Sequence, residues 1–201
     1  NHTVTYAISV DALGKAQTTA IGLVGVSAGA AVKNLNLAGT ISVATAEDND
    51  KPIAIGPAVA DGSGAVIENC HSTVVITAES KCTVNQATMG MIYAGGLVGI
   101  QSAGATVKDS TYEGSVTVTA PKNPHAGGIA GSYAGTMENV SALGDITANE
   151  KYVSGVARFG ENSYAGGIAG EMSGELTNVT AGGTITATND CSLSGVYAYA
   201  G

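Results

Sequence analysis

The chain of 201 residues has little of several residue types, and each shortage is informative. It contains no Trp, one Phe, four Pro and three Cys, and its 8 Lys and Arg residues are outnumbered by 16 Asp and Glu. A net charge of −8 without a basic stripe argues against nucleic acid or an anionic membrane surface as a partner. No apolar run approaches the roughly 18 residues that a membrane-spanning helix needs. The composition therefore predicts neither nucleic-acid binding nor direct membrane insertion.

Cysteine and histidine also give no catalytic or metal-binding pattern. Three cysteines without CxxC spacing argue against a disulfide framework or a zinc site, so we expect free thiols with Cys70 in the core. None of the three histidines has a partner at the HExxH spacing of zinc peptidases. The acidic loop residues Glu47, Asp48 and Asp50 are a weak calcium candidate, and a solvated loop tip is the simpler interpretation. No cofactor is predicted.

Glycine, in contrast, is abundant, with 29 residues, and it recurs in a repeated phrase. "AGGIAGSYAGTMENV" starts at Ala126, and "AGGIAGEMSGELTNV" starts at Ala165. A twelve-residue frame containing the end of this phrase occurs five times, at residues 32–43, 67–78, 107–118, 137–148 and 176–187. The frames start 35, 40, 30 and 39 residues apart. A period of about 20–50 residues is typical of solenoids and propellers.

The columns of the aligned frames favour a solenoid. An apolar column is followed by a Ser or Thr column and then by a second apolar column, as in Ile146, Thr147 and Ala148, which indicates a strand with one face inward. A further column holds alanine in every copy: Ala20, Ala54, Ala94, Ala126, Ala165 and Ala200. Because no helical pattern or aromatic blade motif occurs, we predict an all-β parallel β-helix of five to six coils. We expect a right-handed solenoid with long loops along one edge.

Two further columns predict how the coils bend and stay in register. We expect an inward-facing ladder at one corner, built from Asn34, Asn69, Asp109, Asn139 and Asn178, because Asn tolerates the left-handed region and stacked amides can bond between rungs. The neighbouring outward column alternates in charge, which predicts a ladder of ion pairs: Lys33, Glu68, Lys108 and Glu138. Glycines at other corners supply close approach or positive φ, among them Gly96, Gly128 and Gly167. Two glycosylation sequons, at Asn139 and Asn178, fall in the predicted inward ladder and are interpreted as coincidence.

The two ends of the chain fit the same frame. Asn1–Val10 matches residues 34–43, and Tyr199–Gly201 matches residues 93–95. We therefore expect residues 1–201 to be a single β-helix segment, cut in mid-coil at both ends and continuing into further domains of a longer chain.

The glycine-rich phrases "GGLVG" and "GGIAG", each followed by an Asn corner and a "GxI/V" strand, resemble the GLUG repeat. Its Gly-Leu-x-Gly core stands here as residues 22–25 and 96–99, while the second copy departs from it with Pro57-Ala58-Val59. The repeat is known from bacterial surface adhesins and from immunoglobulin A-cleaving peptidases. The resemblance implies an extracellular β-helix outside any catalytic part, and it implies no catalytic residues within the repeats.

The functional interpretation is a non-enzymatic stalk or adhesive module of a secreted or cell-surface bacterial protein. Its best candidate for contact with a protein or glycan is the loop of residues 149–163, which carries Tyr152, Arg158 and Phe159, including the only Arg and the only Phe. Arg and aromatic side chains are favoured at interface hot spots, although Phe159 could instead pin the loop to the stack. The alternatives are a polysaccharide-processing β-helix enzyme and a purely structural spacer.

Overall fold

The computed structural model describes residues 2–13, 19–45, 51–82, 90–151, 162–190 and 197–201. Within these ranges the regular structure is entirely β-strand, and the strands pair in parallel throughout. The strands in chain order are β1 (His2–Leu13), β2 (Thr19–Ile21), β3 (Val24–Ala28), β4 (Ala31–Lys33), β5 (Leu35–Thr45), β6 (Ile53–Ile55), β7 (Val59–Ser63), β8 (Val66–Glu68), β9 (His71–Ser72), β10 (Val75–Glu79), β11 (Ile92–Gly95), β12 (Val98–Tyr112), β13 (Ser115–Ala120), β14 (His125–Gly127), β15 (Ala130–Ala142), β16 (Asp145–Glu150), β17 (Ser163–Gly166), β18 (Ala169–Ala181), β19 (Ile185–Asn189) and β20 (Ala198–Ala200).

The strands form a β-solenoid, which confirms the predicted fold class. A six-stranded sheet has the order β2-β6-β11-β14-β17-β20, so it takes one strand from each successive coil. The remaining strands form a 14-stranded sheet that wraps around the stack, because long strands such as β12 and β15 bend around a corner and pair on both sides of it. Five described coils, beginning with β2, β6, β11, β14 and β17, lie between β1 and β20.

The coils stack in the register that the frames predict on most of the wall. Ile41 pairs with Ile76, Ile76 with Val116, Val116 with Ile146, and Ile146 with Ile185. β1 joins the same row, with Ile8 opposite Ile41. Like residues therefore lie over like residues at the strand spacing of about 4.8 Å, which is why the sequence repeats.

One predicted column is wrong at a single rung. Ala20 pairs with Ala54, but Ala54 pairs with Tyr93 and Ala94 pairs with Ile55. The column continues regularly above this point, from Ala94 through Ala126 and Ala165 to Ala200. The same shift affects Pro57-Ala58-Val59, which the repeat alignment sets against Leu97-Val98-Gly99. In the structure Val59 pairs with Val98 and not with Gly99. A gap-free alignment of glycine-rich phrases could not detect this offset.

The core follows the stack axis and consists mainly of Val, Ile, Leu and Ala, as the scarcity of aromatics predicts. Three buried tyrosines, Tyr6, Tyr112 and Tyr133, are exceptions, and all three hydroxyls have partners. The Tyr6 hydroxyl donates to the Pro57 carbonyl. The Tyr112 hydroxyl donates to the Val74 carbonyl at 2.9 Å, and the Tyr133 hydroxyl donates to the Thr136 carbonyl at 3.0 Å. A buried hydroxyl needs such a bond, because leaving it unpaired costs about 1–3 kcal/mol. Burial raises the pKa of Tyr112.

Candidate functional site

The residues that the sequence favours for partner contact lie outside the described ranges. This applies to Tyr152, Arg158 and Phe159, and equally to the calcium candidate Glu47, Asp48 and Asp50. The structure does describe the strands on either side of these segments. Each segment follows a strand of the β5-β10-β13-β16-β19 row and precedes a strand of the six-stranded sheet, so the flanking strand ends lie at the same corner of the stack.

The predicted Asn corner is a hydrogen-bonded ladder in the structure. Its five residues all have positive φ, between 47° and 57°: Asn34, Asn69, Asp109, Asn139 and Asn178. The side-chain amide of Asn69 donates to the side-chain Oδ1 of Asn34 at 2.7 Å. Higher in the stack, the Asn139 side chain donates to the Asp109 carboxylate at 2.9 Å, and the Asn178 side chain donates to Oδ1 of Asn139 at 2.8 Å. The amides therefore link neighbouring coils at a corner that few other residues could form without strain.

The orientation of this ladder differs from the sequence-based prediction. All five side chains are exposed, whereas the flanking residues Cys70 and Val140 are buried. The apolar neighbours suggested an inward column, but the side chains that turn inward are those two positions before and one position after the corner, such as Met137 and Val140, while the corner side chain itself turns outward. The amides of the sequon residues Asn139 and Asn178 are accessible and already serve as ladder donors.

The charged column beside the corner contains a three-residue ion-pair cluster. Glu68 contacts Lys33 at 2.7 Å and Lys108 at 3.1 Å, and Lys108 is also the register partner of Glu138. Hydrogen bonds from Lys33 and Lys108 lower the pKa of the Glu68 carboxyl, and the bond to Glu68 raises the pKa of Lys108. Lys33 is exposed and Glu68 and Lys108 are partly exposed, so the ion pairs define register more than they add stability.

The corner glycines are required by close approach and not by positive φ. A Cβ at Gly128 would lie 2.1 Å from the Gly167 carbonyl oxygen, and one at Gly96 would lie 2.3 Å from the Gly128 carbonyl oxygen. At Gly167, a Cβ would lie 2.6 Å from the Ala181 Cβ. Successive coils therefore touch through backbone at this corner.

A stack of aromatic rings on the six-stranded sheet was not foreseen from the sequence. His125 lies between Tyr93 and Tyr164 with ring centroids 4.5 Å apart on both sides, and Tyr164 stacks on Tyr199 at 5.3 Å. The signal was present, since His125 occupies the position of tyrosine in the recurring "YAG" triplet. Because the rings stack on one another, the inner rings present edges and not faces to a ligand.

His125 is buried, and its ionisation is suppressed. Burial lowers its pKa to about 4, so the ring is neutral at pH 7. Its Nδ1 atom has no hydrogen-bond partner, and Oε2 of Glu171 lies 3.9 Å away.

His71 has a different environment, with Nδ1 2.5 Å from the Thr111 hydroxyl oxygen. Within the described ranges no three His, Cys, Asp or Glu residues cluster closely enough to hold a metal ion. Cys70 is a buried free thiol, as expected, and Cys82 is also buried.

Among the described residues, one concavity is a groove that crosses three coils. It has a volume of about 320 Å³. Three consecutive residues from each of β12, β15 and β18 line it: Ile100, Gln101, Ser102, Ser132, Tyr133, Ala134, Glu171, Met172 and Ser173. We call this surface the three-coil groove. Its volume lies at the lower end of the range for small-molecule sites, about 300–1,000 Å³.

Gln101 is the unusual residue of the three-coil groove. Its side chain is 1% exposed, and neither its amide oxygen nor its amide nitrogen has a hydrogen-bond partner. Its register partners are Gly62 on one side and the buried Tyr133 on the other. A Cβ on Gly62 would lie 3.0 Å from the Gln101 amide nitrogen, so the absent side chain leaves room for the amide. Unpaired buried amide groups are costly and call for a functional explanation.

Sequence reasoning missed Gln101 and Glu171 for a specific reason. Both lie in the segment between the glycine-rich phrase and the Asn corner, where the coils differ in length and β12 shifts register against β15 between Gln101 and Ala105. That Gln101 is a polar residue in a buried column can be recognised only when this register is known.

Comparisons with known proteins yield no relative: no family model matches the chain, and no curated protein or solved structure shows significant similarity to it. The resemblance to the GLUG repeat therefore rests on the quoted motifs alone. In the part of the chain that the structure describes, no helix has the length and apolar character to cross a membrane.

Proposed function

We propose that the chain is a non-enzymatic stalk or adhesive module of a secreted or cell-surface bacterial protein, and that it presents edge loops to a protein or glycan partner. The observation that carries this proposal is that the connections of variable length and sequence between coils all begin and end at the same two strand rows. They all join the same two strand rows of a stack whose other corners are constrained by backbone contact and amide bonds.

This arrangement suits display. Parallel rungs bonded in register form a wall whose shape does not depend on the loops, so the loops can vary in length and composition without disturbing the core. The strand ends that flank these loops are neighbours in successive coils, which supports the proposal that several loops contribute to the surface for one partner. The long Asn149–Ser163 connection, with Tyr152, Arg158 and Phe159, is the contact that we expect to dominate.

A binding screen tests the proposal. The purified chain, Arg158→Ala and Phe159→Ala are applied to a glycan array and to immobilised extracellular-matrix proteins. We expect a specific partner for the unmodified chain and at least a tenfold loss of affinity in each variant, because truncating a hot-spot side chain costs about 1.4 kcal/mol or more.

Leu143→Ala is the matched control. Leu143 is 49% exposed and lies between β15 and β16, at a different corner from the edge loops. This variant should bind normally. Absence of any partner would favour a spacer, and equal losses in all three variants would indicate a general folding defect and remove the support for the loop.

A further inference from the structure

We propose that the corner with the variable connections binds a linear acidic polysaccharide through Lys81, Lys122 and Lys151. We call these three residues the basic edge. The inference rests on the proposed adhesive function and names the chemical class of its glycan partner. The basic edge consists of described residues and is separate from the contact residues Arg158 and Phe159.

Most basic residues of the chain are concentrated at this corner. Two of the eight, Lys33 and Lys108, contact Glu68 beside the Asn ladder. The other six lie in the five successive connections that lead from β1, β5, β10, β13 and β16 to the six-stranded sheet: Lys15, Lys51, Lys81, Lys122, Lys151 and Arg158. The linear sequence shows no basic stripe, because a whole coil separates one connection from the next. The stacking of the coils assembles the stripe.

The basic edge spans three successive coils. Lys81 follows β10, Lys122 follows β13 and Lys151 follows β16, and these strands pair in register. The Lys151 N–H donates to the Ala120 carbonyl at 2.9 Å, so the connection of Lys151 starts beside the one that contains Lys122. The strand register therefore supplies about one ammonium group per coil, along a line parallel to the stack axis, with coils about 4.8 Å apart.

The backbone next to Lys81 and Lys122 is also close together. Cys82 and Pro121, their neighbours in sequence, both border Gly90. A Cβ at Gly90 would lie 3.0 Å from Cγ of Pro121 and 3.1 Å from Cβ of Cys82. The two lysines consequently leave the stack from one compact corner.

The charges around the basic edge leave it open to an anion. Within the described residues the Lys81 ammonium has no ion pair. Lys151 contacts Glu79 at 3.6 Å, and an exposed pair of this kind is weak enough for an incoming anion to replace it. Glu150 is 2% exposed, so its carboxylate does not face a ligand at the surface.

The spacing of the charges selects the ligand class. Duplex DNA carries one charge per about 1.7 Å, which is much denser than one ammonium group per about 4.8 Å. A chain with a net charge of −8 also repels so dense a polyanion over most of its surface. An acidic polysaccharide carries its carboxylate or sulfate groups on successive sugar units, so its charges are more widely spaced. Lysine suits both groups, since its ammonium is a point charge on a flexible stem.

Neutral groups beside the basic edge suit the hydroxyls of a sugar chain. Thr119 and Asn149 are register neighbours on β13 and β16, close to Lys122 and Lys151, and both side chains are half-buried. A hydroxyl and an amide offer donors and acceptors to the sugar hydroxyls. These contacts favour a glycan over a simple inorganic anion.

The test measures binding of the purified chain to immobilised polygalacturonate, dextran sulfate and neutral dextran. The two acidic polymers distinguish carboxylate from sulfate. We expect binding of at least one of them and none of dextran, with affinity falling between about 50 mM and 200 mM sodium chloride. The double variant Lys81→Gln, Lys122→Gln should bind at least tenfold more weakly. Its plot of log affinity against log salt should also be shallower, because fewer counterions are released.

Lys33→Gln combined with Lys108→Gln is the matched control. It removes the same two positive charges, but at the Asn corner. This double variant should keep both the affinity and the salt dependence of the unmodified chain. The proposal is overturned when neither acidic polymer binds at low salt, or when the two double variants lose affinity equally.

Further arms separate this proposal from its competitors. Poly-glutamate or a short DNA duplex that binds as tightly as the polysaccharides would overturn the ligand class. A protein or neutral glycan partner in the array screen, without binding to either acidic polymer, would overturn the basic edge and leave the adhesive function standing. Acidic polysaccharide binding that is lost in the Lys81→Gln, Lys122→Gln variant but kept in Arg158→Ala would support the basic edge and count against the dominance of Arg158.

Discussion

Asn139 donates its side-chain amide to the Asp109 carboxylate at 2.9 Å, across 30 residues of sequence and one coil of the stack. Asp109 can accept this bond, but an ionised carboxylate has no donor to pass on to Asn69 in the coil before it. The Asn ladder is therefore interrupted at one rung, between Asn69 and Asp109.

Asp109→Asn should complete the ladder. The new amide can donate to Asn69 while still accepting from Asn139, and the left-handed backbone at this position suits Asn as well as Asp. We expect the free energy of unfolding to rise by about 0.5–1 kcal/mol, the net value of one partly exposed hydrogen bond. Urea denaturation at pH 7 measures the change, and Asp145→Asn is the control, because Asp145 already uses one oxygen to accept from the Thr184 amide. A drop in stability for Asp109→Asn larger than that of the control would contradict the ladder argument.

Gly128→Val should prevent the coils from stacking. The first added carbon would lie 2.1 Å from the Gly167 carbonyl oxygen and 2.6 Å from the Ala142 Cβ, and neither neighbour is a flexible chain end. We expect a loss of about 3 kcal/mol or more, at the upper end of overpacking costs, observed as a lowered or absent thermal transition.

Gly104→Ala is the informative comparison for Gly128→Val. Gly104 has positive φ, +62°, but open space around its absent Cβ. Its cost should therefore be limited to about 1–2 kcal/mol of left-handed strain. Equal losses at the two positions would mean that close approach does not explain the corner glycines.

Glu138→Lys should place like charges beside each other, since Glu138 is the register partner of Lys108. The expected loss is at most about 1 kcal/mol, because the pair is exposed, and it should shrink as salt is raised to about 1 M. Chemical denaturation with urea at low and high sodium chloride gives both numbers. A large loss that does not respond to salt would show that Glu138 has a packing role instead.

His125 should make stability depend on pH. Its pKa is about 4 in the folded chain against 6.5 ordinarily, so the unfolded chain binds more protons between these values. The stabilisation that this pKa difference gives to the folded chain is fully present above about pH 6.5. It is lost as pH falls toward about 4, and the free energy of unfolding then decreases by about 3 kcal/mol in total. The measurement is the free energy of unfolding at about pH 7 and about pH 4.5, for the unmodified chain and for His125→Phe, which keeps a ring between Tyr93 and Tyr164 but does not titrate. The difference between the two proteins isolates His125 from the carboxylates, and identical pH profiles would refute its assignment.

Much of the fold could be read from the repeat. The column through Ile41, Ile76, Val116 and Ile146 predicted the register of the long wall correctly, because stacked rungs impose the same side-chain environment on equivalent positions. Ala54 was misaligned because a one-residue offset at a glycine-rich turn leaves no trace in composition. The outward direction of Asn139 was misjudged because its buried neighbour Val140 was taken to show the direction of the corner itself.

The candidate site was much less predictable. Gln101 and Glu171 are 70 residues apart in the chain, and nothing in their local sequence distinguishes them from other polar residues on strands. Only the stacking of β12, β15 and β18 brings them to one groove. The predicted contact residues Arg158 and Phe159 remain a prediction, since they lie outside the described residues.

The sequence by itself determined the solenoid, its period, its Asn and glycine corners and the composition of its core. These properties depend on interactions between equivalent positions of neighbouring repeats, so the repetition records them directly. The tertiary structure alone decided which way the Asn ladder faces, where one coil slips by a residue, how His125 is enclosed by two tyrosines, and that Gln101 is buried without a partner. These features depend on the lengths and bends of individual coils, which vary between repeats. The coil lengths and bends set the distances between side chains at non-equivalent positions of the repeat, and the repeated pattern does not record those distances.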